Sequence, residues 1–231
     1  MNTPSSSVSA APKARPLASL RYRIYQWTER FGDWRLGGVD TRGLVVPDDF
    51  GAGGDGCHAY LGLSYPGLHR VLRHAPVQPG RDVFIDIGSG LGRVVFQAAA
   101  SLPLKRAIGV EFSPSLHVRA QTNLALALPR LRCKQVSLHQ ADARRYEIPD
   151  DATIIFFFMP FGPQILGPVL DNIRQSLRRA PRELTILYAY PTDGAVPLHI
   201  MQPERPWLRV EPERAISSGL RLAVARIDPD A

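Results

Sequence analysis

The chain has 231 residues, 45% hydrophobic and 21% charged, the proportions of a globular protein long enough to build a full α/β core. Its formal charge of +7 is carried almost wholly by arginine, with lysine only at Lys13, Lys105 and Lys134; the arginines are spread along the sequence, which favours a composition effect over an anionic partner. Two distant cysteines (Cys57, Cys133) and six scattered histidines give no metal-ligand spacing, the longest apolar run (Ala152 to Phe161) is too short for a bilayer, and no secretory segment follows Met1, so a cytoplasmic protein with no metal and no membrane partner is expected.

Residues 1–16 are rich in Ser, Pro and Ala and read as a flexible tail. Leu17, Leu20, Ile24, Trp27 and Phe31 recur at helical spacing and predict an amphipathic helix over 17–31. The glycines and aspartates of 32–58 predict a loop able to act as a lid, and a short helix is expected after Pro66. From Val83 onward strands and helices alternate. Strands are predicted at 83–87, 107–111, 136–140, 153–158 and 184–190. The intervening helices carry Val94, Val95, Ala98 and Ala99, then Leu116, Ala120, Leu124 and Ala127, then Leu166, Val169, Leu170, Ile173 and Leu177. Ser113-Pro114 supplies an N-cap followed by proline in the first turn. Residues 207–211 and 220–227 predict a closing hairpin. Such alternation implies an α/β fold, a mostly parallel seven-stranded Rossmann-like sheet with helices on both faces, an antiparallel terminal pair and an N-terminal helical and loop extension.

The densest information lies in Asp86-Ile87-Gly88-Ser89-Gly90-Leu91-Gly92-Arg93, where a buried strand breaks into alternate glycines and resumes as a helix. That arrangement lets a nucleotide-like ligand approach bare backbone at a helix N-terminus, glycine being required by the turn and by the approach of the ligand. Dinucleotide folds use a different spacing, and Arg93 stands where their third glycine would be, which argues against an NAD(P)-dependent oxidoreductase. Three further groups fall at the ends of successive strands, the edge where open α/β sheets bind ligands: Glu111, Asp142, and the segment Phe158-Met159-Pro160-Phe161.

On these residues the chain resembles the class I S-adenosylmethionine (SAM) dependent methyltransferases. The segments IDIGSGLGRVVFQAA and AIGVEFSPSLHVRA are similar to small bacterial methyltransferases, themselves similar to the non-SET histone-lysine methyltransferases. The resemblance, over residues about 60 to 190, implies SAM as cofactor; after the tail at 1–16, an extension at 17–80 that lids cofactor and substrate and a SAM-binding domain at 81–231 are expected. It implies a cofactor site made of Asp86, Gly88, Ser89, Gly90, Gly92, Glu111, Phe112, Asp142 and Ala143. Asp86 would take the methionine amino group, Glu111 the ribose hydroxyls and Asp142 the adenine amino group. Tyr60, Ser64, Tyr65, Met159, Pro160 and Phe161 are the implied acceptor-side candidates. The family's fourth-strand motif often has Asn or Asp where this chain has Met159, and methionine cannot orient an amine. The expected activity is therefore methyl transfer to a protein side chain or a small molecule rather than to a nucleic-acid base. A non-catalytic module binding RNA is the alternative. Tyr60, Tyr65, His58 and Tyr190 are possible bases, and the sequence does not choose among them.

Overall fold

A computed structural model describes residues 16–46, 56–192 and 197–227. Residues 1–15 of the expected tail and 47–55 of the expected lid lie outside the described residues. The chain runs α1 (Pro16–Arg35), β1 (Leu44–Val45), β2 (Tyr60–Leu61), α2 (Tyr65–Leu72), β3 (Val83–Ile87), α3 (Arg93–Ser101), β4 (Arg106–Glu111), α4 (Pro114–Ala127), β5 (Val136–Gln140), β6 (Ala152–Phe158), α5 (Pro163–Arg179), β7 (Leu184–Pro191), α6 (Pro197–Met201), β8 (Arg209–Val210), β9 (Arg214–Ser217) and β10 (Leu220–Ile227).

Among the described residues the main sheet has eight strands, in the order β5-β4-β3-β6-β7-β10-β8 with β9 also paired to β10. β5, β4, β3, β6 and β7 are parallel, and β10 lies antiparallel to β7. The expected terminal hairpin differs in one respect: β10 inserts beside β7, and β8 and β9 are short additions to its far side. β1 and β2, which the loop composition of 32–58 did not predict, form a separate two-stranded antiparallel ribbon.

The central strands are apolar on both faces because helices cover both. Phe84, Phe156 and Leu187 pack against α2 and α3 on one side. Ile85, Ile87, Ile155 and Phe157 pack against Leu166, Leu170 and Ile173 of α5 on the other. α4 begins as expected: the Ser113 side chain caps it by accepting from Leu116 N–H, and Pro114 opens its first turn.

α1 reverses the usual polarity of an amphipathic helix. Its apolar stripe faces outward, with Trp27 64% and Trp34 68% exposed, and its inner face carries Glu29 and Asp33 at 3% and 4%. Periodicity shows that a helix has two faces and does not say which faces in. Here the choice is made by Arg93, the first residue of α3, whose side chain is 2% exposed. Its Nη1 pairs with Glu29 and donates to the Leu63 carbonyl at 3.0 Å. Its Nε donates to Thr41 Oγ1 and its Nη2 to the Thr41 carbonyl, both at 2.8 Å. The guanidinium also lies 4.5 Å from the centre of the Tyr65 ring. The second layer is closed as well. The Tyr65 and Thr41 hydroxyls both donate to Asp33 Oδ1 at 2.7 Å, and Tyr65 N–H donates to Glu29 Oε1 at 3.1 Å.

A buried carboxylate is tolerated only when paired and hydrogen-bonded. Arg93→Ala leaves Glu29 buried without its cation and is expected to destabilise the fold by about 3–5 kcal/mol. Lysine lacks the fork of donors that reaches Glu29, Leu63 and Thr41 together, so Arg93→Lys is expected to recover only a minor part. Chemical denaturation of the two variants beside the wild type measures both losses.

Candidate active site

The three alternate glycines end β3 and start α3. Gly88 and Gly90 sit at φ +83° and +52°, conformations that L-residues with side chains rarely adopt. A Cβ at Gly88 would overlap Pro160, and one at Gly90 would overlap the Tyr60 ring. The glycines therefore make room first for the protein's own covering residues, whereas their sequence pattern had suggested direct crowding by a ligand. The loop is fastened to the neighbouring strand. Gly88 N–H and Ser89 N–H both donate to the Val110 carbonyl, at 2.9 and 3.0 Å.

Glu111, the last residue of β4, is buried and holds two loops at once. Its Oε2 accepts from Gly90 N–H at 2.7 Å and its Oε1 from Ser113 N–H at 2.8 Å. Asp86 is different. It is 2% exposed, and its carboxyl has no hydrogen-bond partner among the described residues. Burial, with the nearby Glu111 carboxylate adding to it, pushes its pKa well above the usual carboxylate range. Asp142 is ion-paired: Arg144 donates to it from the backbone N–H at 2.9 Å and from Nε and Nη2 at 2.7–3.0 Å. The Arg144 hydrogen bonds hold the Asp142 carboxyl below its ordinary value.

One cavity at the C-terminal ends of β3, β4, β5 and β6 brings together Tyr60, Asp86, Gly88, Ser89, Gly90, Glu111, Phe112, Asp142, Ala143, Met159, Pro160 and Phe161. Three of the expected site residues lie outside its lining. Gly92 is the N-cap of α3, beneath the Phe96 ring. Ser64 caps α2, accepting from Gly67 N–H at 3.3 Å. Tyr65 serves the Arg93 network. The four possible bases also separate. Tyr60 donates to the Thr41 carbonyl at 2.7 Å, and burial raises its pKa beyond use. Burial raises Tyr65 likewise. Tyr190 is absent from the cavity lining and is raised by burial too. His58 stands at the cavity, exposed, with Nδ1 2.8 Å from the Met159 carbonyl.

The segment carrying His58 is strapped to the loop after β6. His58 N–H donates to the Pro160 carbonyl at 3.0 Å, Gly162 N–H to the Gly56 carbonyl at 2.9 Å, and Cys57 bridges Phe161. Met159 lies inside this strap at φ +39°, the one non-glycine residue with positive φ among the described residues. Asn and Asp tolerate the left-handed region better than methionine does. Sequence reading missed Asn123 of α4. Its side chain accepts from Asp40 N–H and donates to the Asp40 and Leu91 carbonyls at 3.0–3.1 Å, joining the extension to the exit of the glycine loop. A lone Asn on the apolar stripe of α4 was its only signal.

The model of the family described as "Histone methylation protein DOT1" matches residues 57–152. A curated relative, the H3 lysine-79 specific histone-lysine N-methyltransferase of Drosophila melanogaster, is 50% identical over 52 residues, which make up 22% of this chain and 3% of that protein. Among solved structures, a SAM-dependent methyltransferase from Aquifex aeolicus aligns with TM-score 0.53 and 13% identity, over 69% of this chain and 89% of that one. The precorrin-6y C5,15-methyltransferase of Geobacter metallireducens aligns with TM-score 0.53 and 20% identity, over 68% and 86%. The M1A22 tRNA methyltransferase of B. subtilis aligns with TM-score 0.54 and 18% identity, over 74% and 69%. The chain has the class I fold of SAM-dependent methyltransferases. The lining is compatible with that cofactor chemically: Asp86, a buried carboxyl without a hydrogen-bond partner among the described residues, would suit a cationic amine, with Glu111 close by.

Two expectations follow. Met159→Gly removes the strain at φ +39° and is expected to raise stability by about 1 kcal/mol, while Met159→Val lowers it by a similar amount or more; thermal melts of the two variants give the signs. Burial favours the protonated form of Asp86, so its contribution to stability is complete at acidic pH and is lost as pH rises through its raised folded value. Asp86→Asn is neutral at every pH. Its melting temperature is expected to match the wild type near about pH 4 and exceed it by a few degrees at pH 8, which a pH series of scanning fluorimetry would show.

Proposed function

We propose that this chain binds SAM in the cavity at the C-terminal edge of its sheet and transfers the methyl group to a protein side chain or a small molecule. The observation that carries this reading is Asp86, a buried carboxyl at the cavity with no hydrogen-bond partner among the described residues, beside Glu111 and the glycine loop. When bound, the cofactor supplies a methyl group already activated on a sulfonium, so this chain needs to bind, align and exclude water. Asp86 would hold the amino group, Glu111 the ribose hydroxyls, and Asp142 the adenine amino group, with Phe112 and Ala143 as neighbouring wall. Tyr60 and Pro160 cover Gly90 and Gly88 and shelter the loop from water.

On the acceptor side Met159 offers no hydrogen-bonding group, so orientation falls to shape, supplied by Pro160 and Phe161. An acceptor with a proton to lose would find His58 at the cavity, its Nδ1 engaged by the Met159 carbonyl and its Nε2 without a protein partner among the described residues. A protein acceptor is favoured because a relative 50% identical over 52 residues is named for a histone lysine. The absence of an amine-orienting side chain at 159 keeps a small-molecule acceptor in view.

Calorimetry with SAM and S-adenosylhomocysteine tests the cofactor, and a radiolabelled methyl-donor assay against separate protein, RNA and small-molecule fractions tests the acceptor. The wild type is expected to bind both cofactor forms, with Glu111→Ala and Gly88→Val each weakening binding by more than about tenfold, since each removes a buried charged contact or fills the loop. Wild-type affinity in both variants would place the cofactor elsewhere. Label entering only the RNA fraction would overturn the acceptor reading.

A further inference from the structure

Among the described residues the outward face of α1 has no partner, and its composition specifies one. On a helix of 3.6 residues per turn, Leu20, Ile24, Trp27, Phe31 and Trp34 fall within an arc of about 80°. All five side chains are exposed. The rings form a continuous ridge, with Trp27 stacked on Phe31 at 5.3 Å and Phe31 on Trp34 at 5.7 Å. Arginines border the ridge on both sides, Arg21 and Arg35 along one margin and Arg23 and Arg30 along the other. All four are exposed, and none forms an ion pair among the described residues. The two acids within 20–35, Glu29 and Asp33, are turned inward to Arg93 and its neighbours. The exposed face is thus aliphatic and aromatic along its centre, cationic along both margins and free of negative charge.

We propose that α1 is an interfacial helix that docks this protein on an anionic phospholipid surface. An apolar ridge with tryptophan, lined by arginines whose stems snorkel while their heads meet lipid phosphates, suits a helix lying flat at the headgroup boundary. The two margins distinguish this occupant from the others. Pairing with a second copy through the ridge would bring like-charged arginine rows together. A nucleic acid would use the arginines and rings and leave Leu20 and Ile24 without a role. No helix among the described residues is long and apolar enough to cross a membrane, and the expectation of no membrane partner rested on that criterion, which does not address a helix lying in the plane. The inference is independent of the methyltransferase reading.

The test uses the full chain, with vesicles of phosphatidylcholine alone or mixed with phosphatidylglycerol, at low and physiological salt. Co-sedimentation with the mixed vesicles and not with phosphatidylcholine is expected, together with a blue shift of tryptophan emission. The Arg23→Gln/Arg30→Gln double variant is expected to lower the partition coefficient by about tenfold or more, at roughly 1 kcal/mol per arginine. Trp27→Ser/Phe31→Ser is expected to abolish the blue shift. Both variants change exposed residues outside the buried network, so their melting temperatures and SAM affinity should stay at wild-type values, which separates lost docking from lost folding. No binding of wild type to the mixed vesicles, or binding unchanged in both variants, overturns the proposal. So does a concentration-dependent dimer in light scattering that Trp27→Ser/Phe31→Ser dissolves, if vesicles do not bind. So does salt-sensitive binding of a labelled oligonucleotide, lost in the arginine variant, if vesicles do not bind.

Discussion

A buried guanidinium sets the terms for the rest of this molecule. Arg93 opens the helix that the glycine loop feeds, so its charge is fixed at the centre of the ligand edge of the sheet. A charge taken that far from water has to be met on every donor. Glu29 comes from α1, Thr41 from the stretch before β1, and the Leu63 carbonyl and Tyr65 ring from the approach to α2. Four segments distant in sequence thereby share one interaction. The extension and the helix that follows the glycine loop are tied together, and the orientation of α1 is a consequence of it.

The sheet and its helices were largely legible in the sequence, because their signals are local. Alternating apolar runs, the alternate glycines, Ser113-Pro114 and the stripe of α5 each specify an element from a few neighbouring residues. Glu111 and Asp142 could be placed because strand ends share one edge in a parallel sheet. What escaped prediction depends on partners distant in sequence. Arg93 was visible as an odd residue after the glycines, but nothing local names Glu29 and Thr41 as its partners. The strands Leu44–Val45 and Tyr60–Leu61 are too short to leave a pattern, and insertion of Leu220–Ile227 beside β7 is a matter of strand order. The resemblance offered Tyr60 and Tyr65 together; one lines the cavity and the other meets the arginine.

The carboxyls along the edge illustrate how position divides one chemistry into three states. Glu111 is buried and accepts from two backbone N–H groups, so it serves as a joint between loops. Asp142 is half-buried and clamped by Arg144, so it stays ionised. Asp86 is buried without a hydrogen-bond partner among the described residues, and its neutral form is favoured. A cation arriving beside Asp86 would favour the ionised form that burial resists, so binding there would be coupled to loss of the Asp86 proton.

The left-handed backbone at Met159 has an evolutionary consequence. Gly56, His58 and Phe161 hold that turn through main-chain bonds and a strand bridge, so its shape does not depend on the side chain it carries. The dihedral angle then acts as a filter on heredity. Gly, Asn and Asp pass with least strain, methionine passes with more, and β-branched residues are turned away. The residues that single substitutions can place at this position are bounded by backbone geometry before any chemistry is tried.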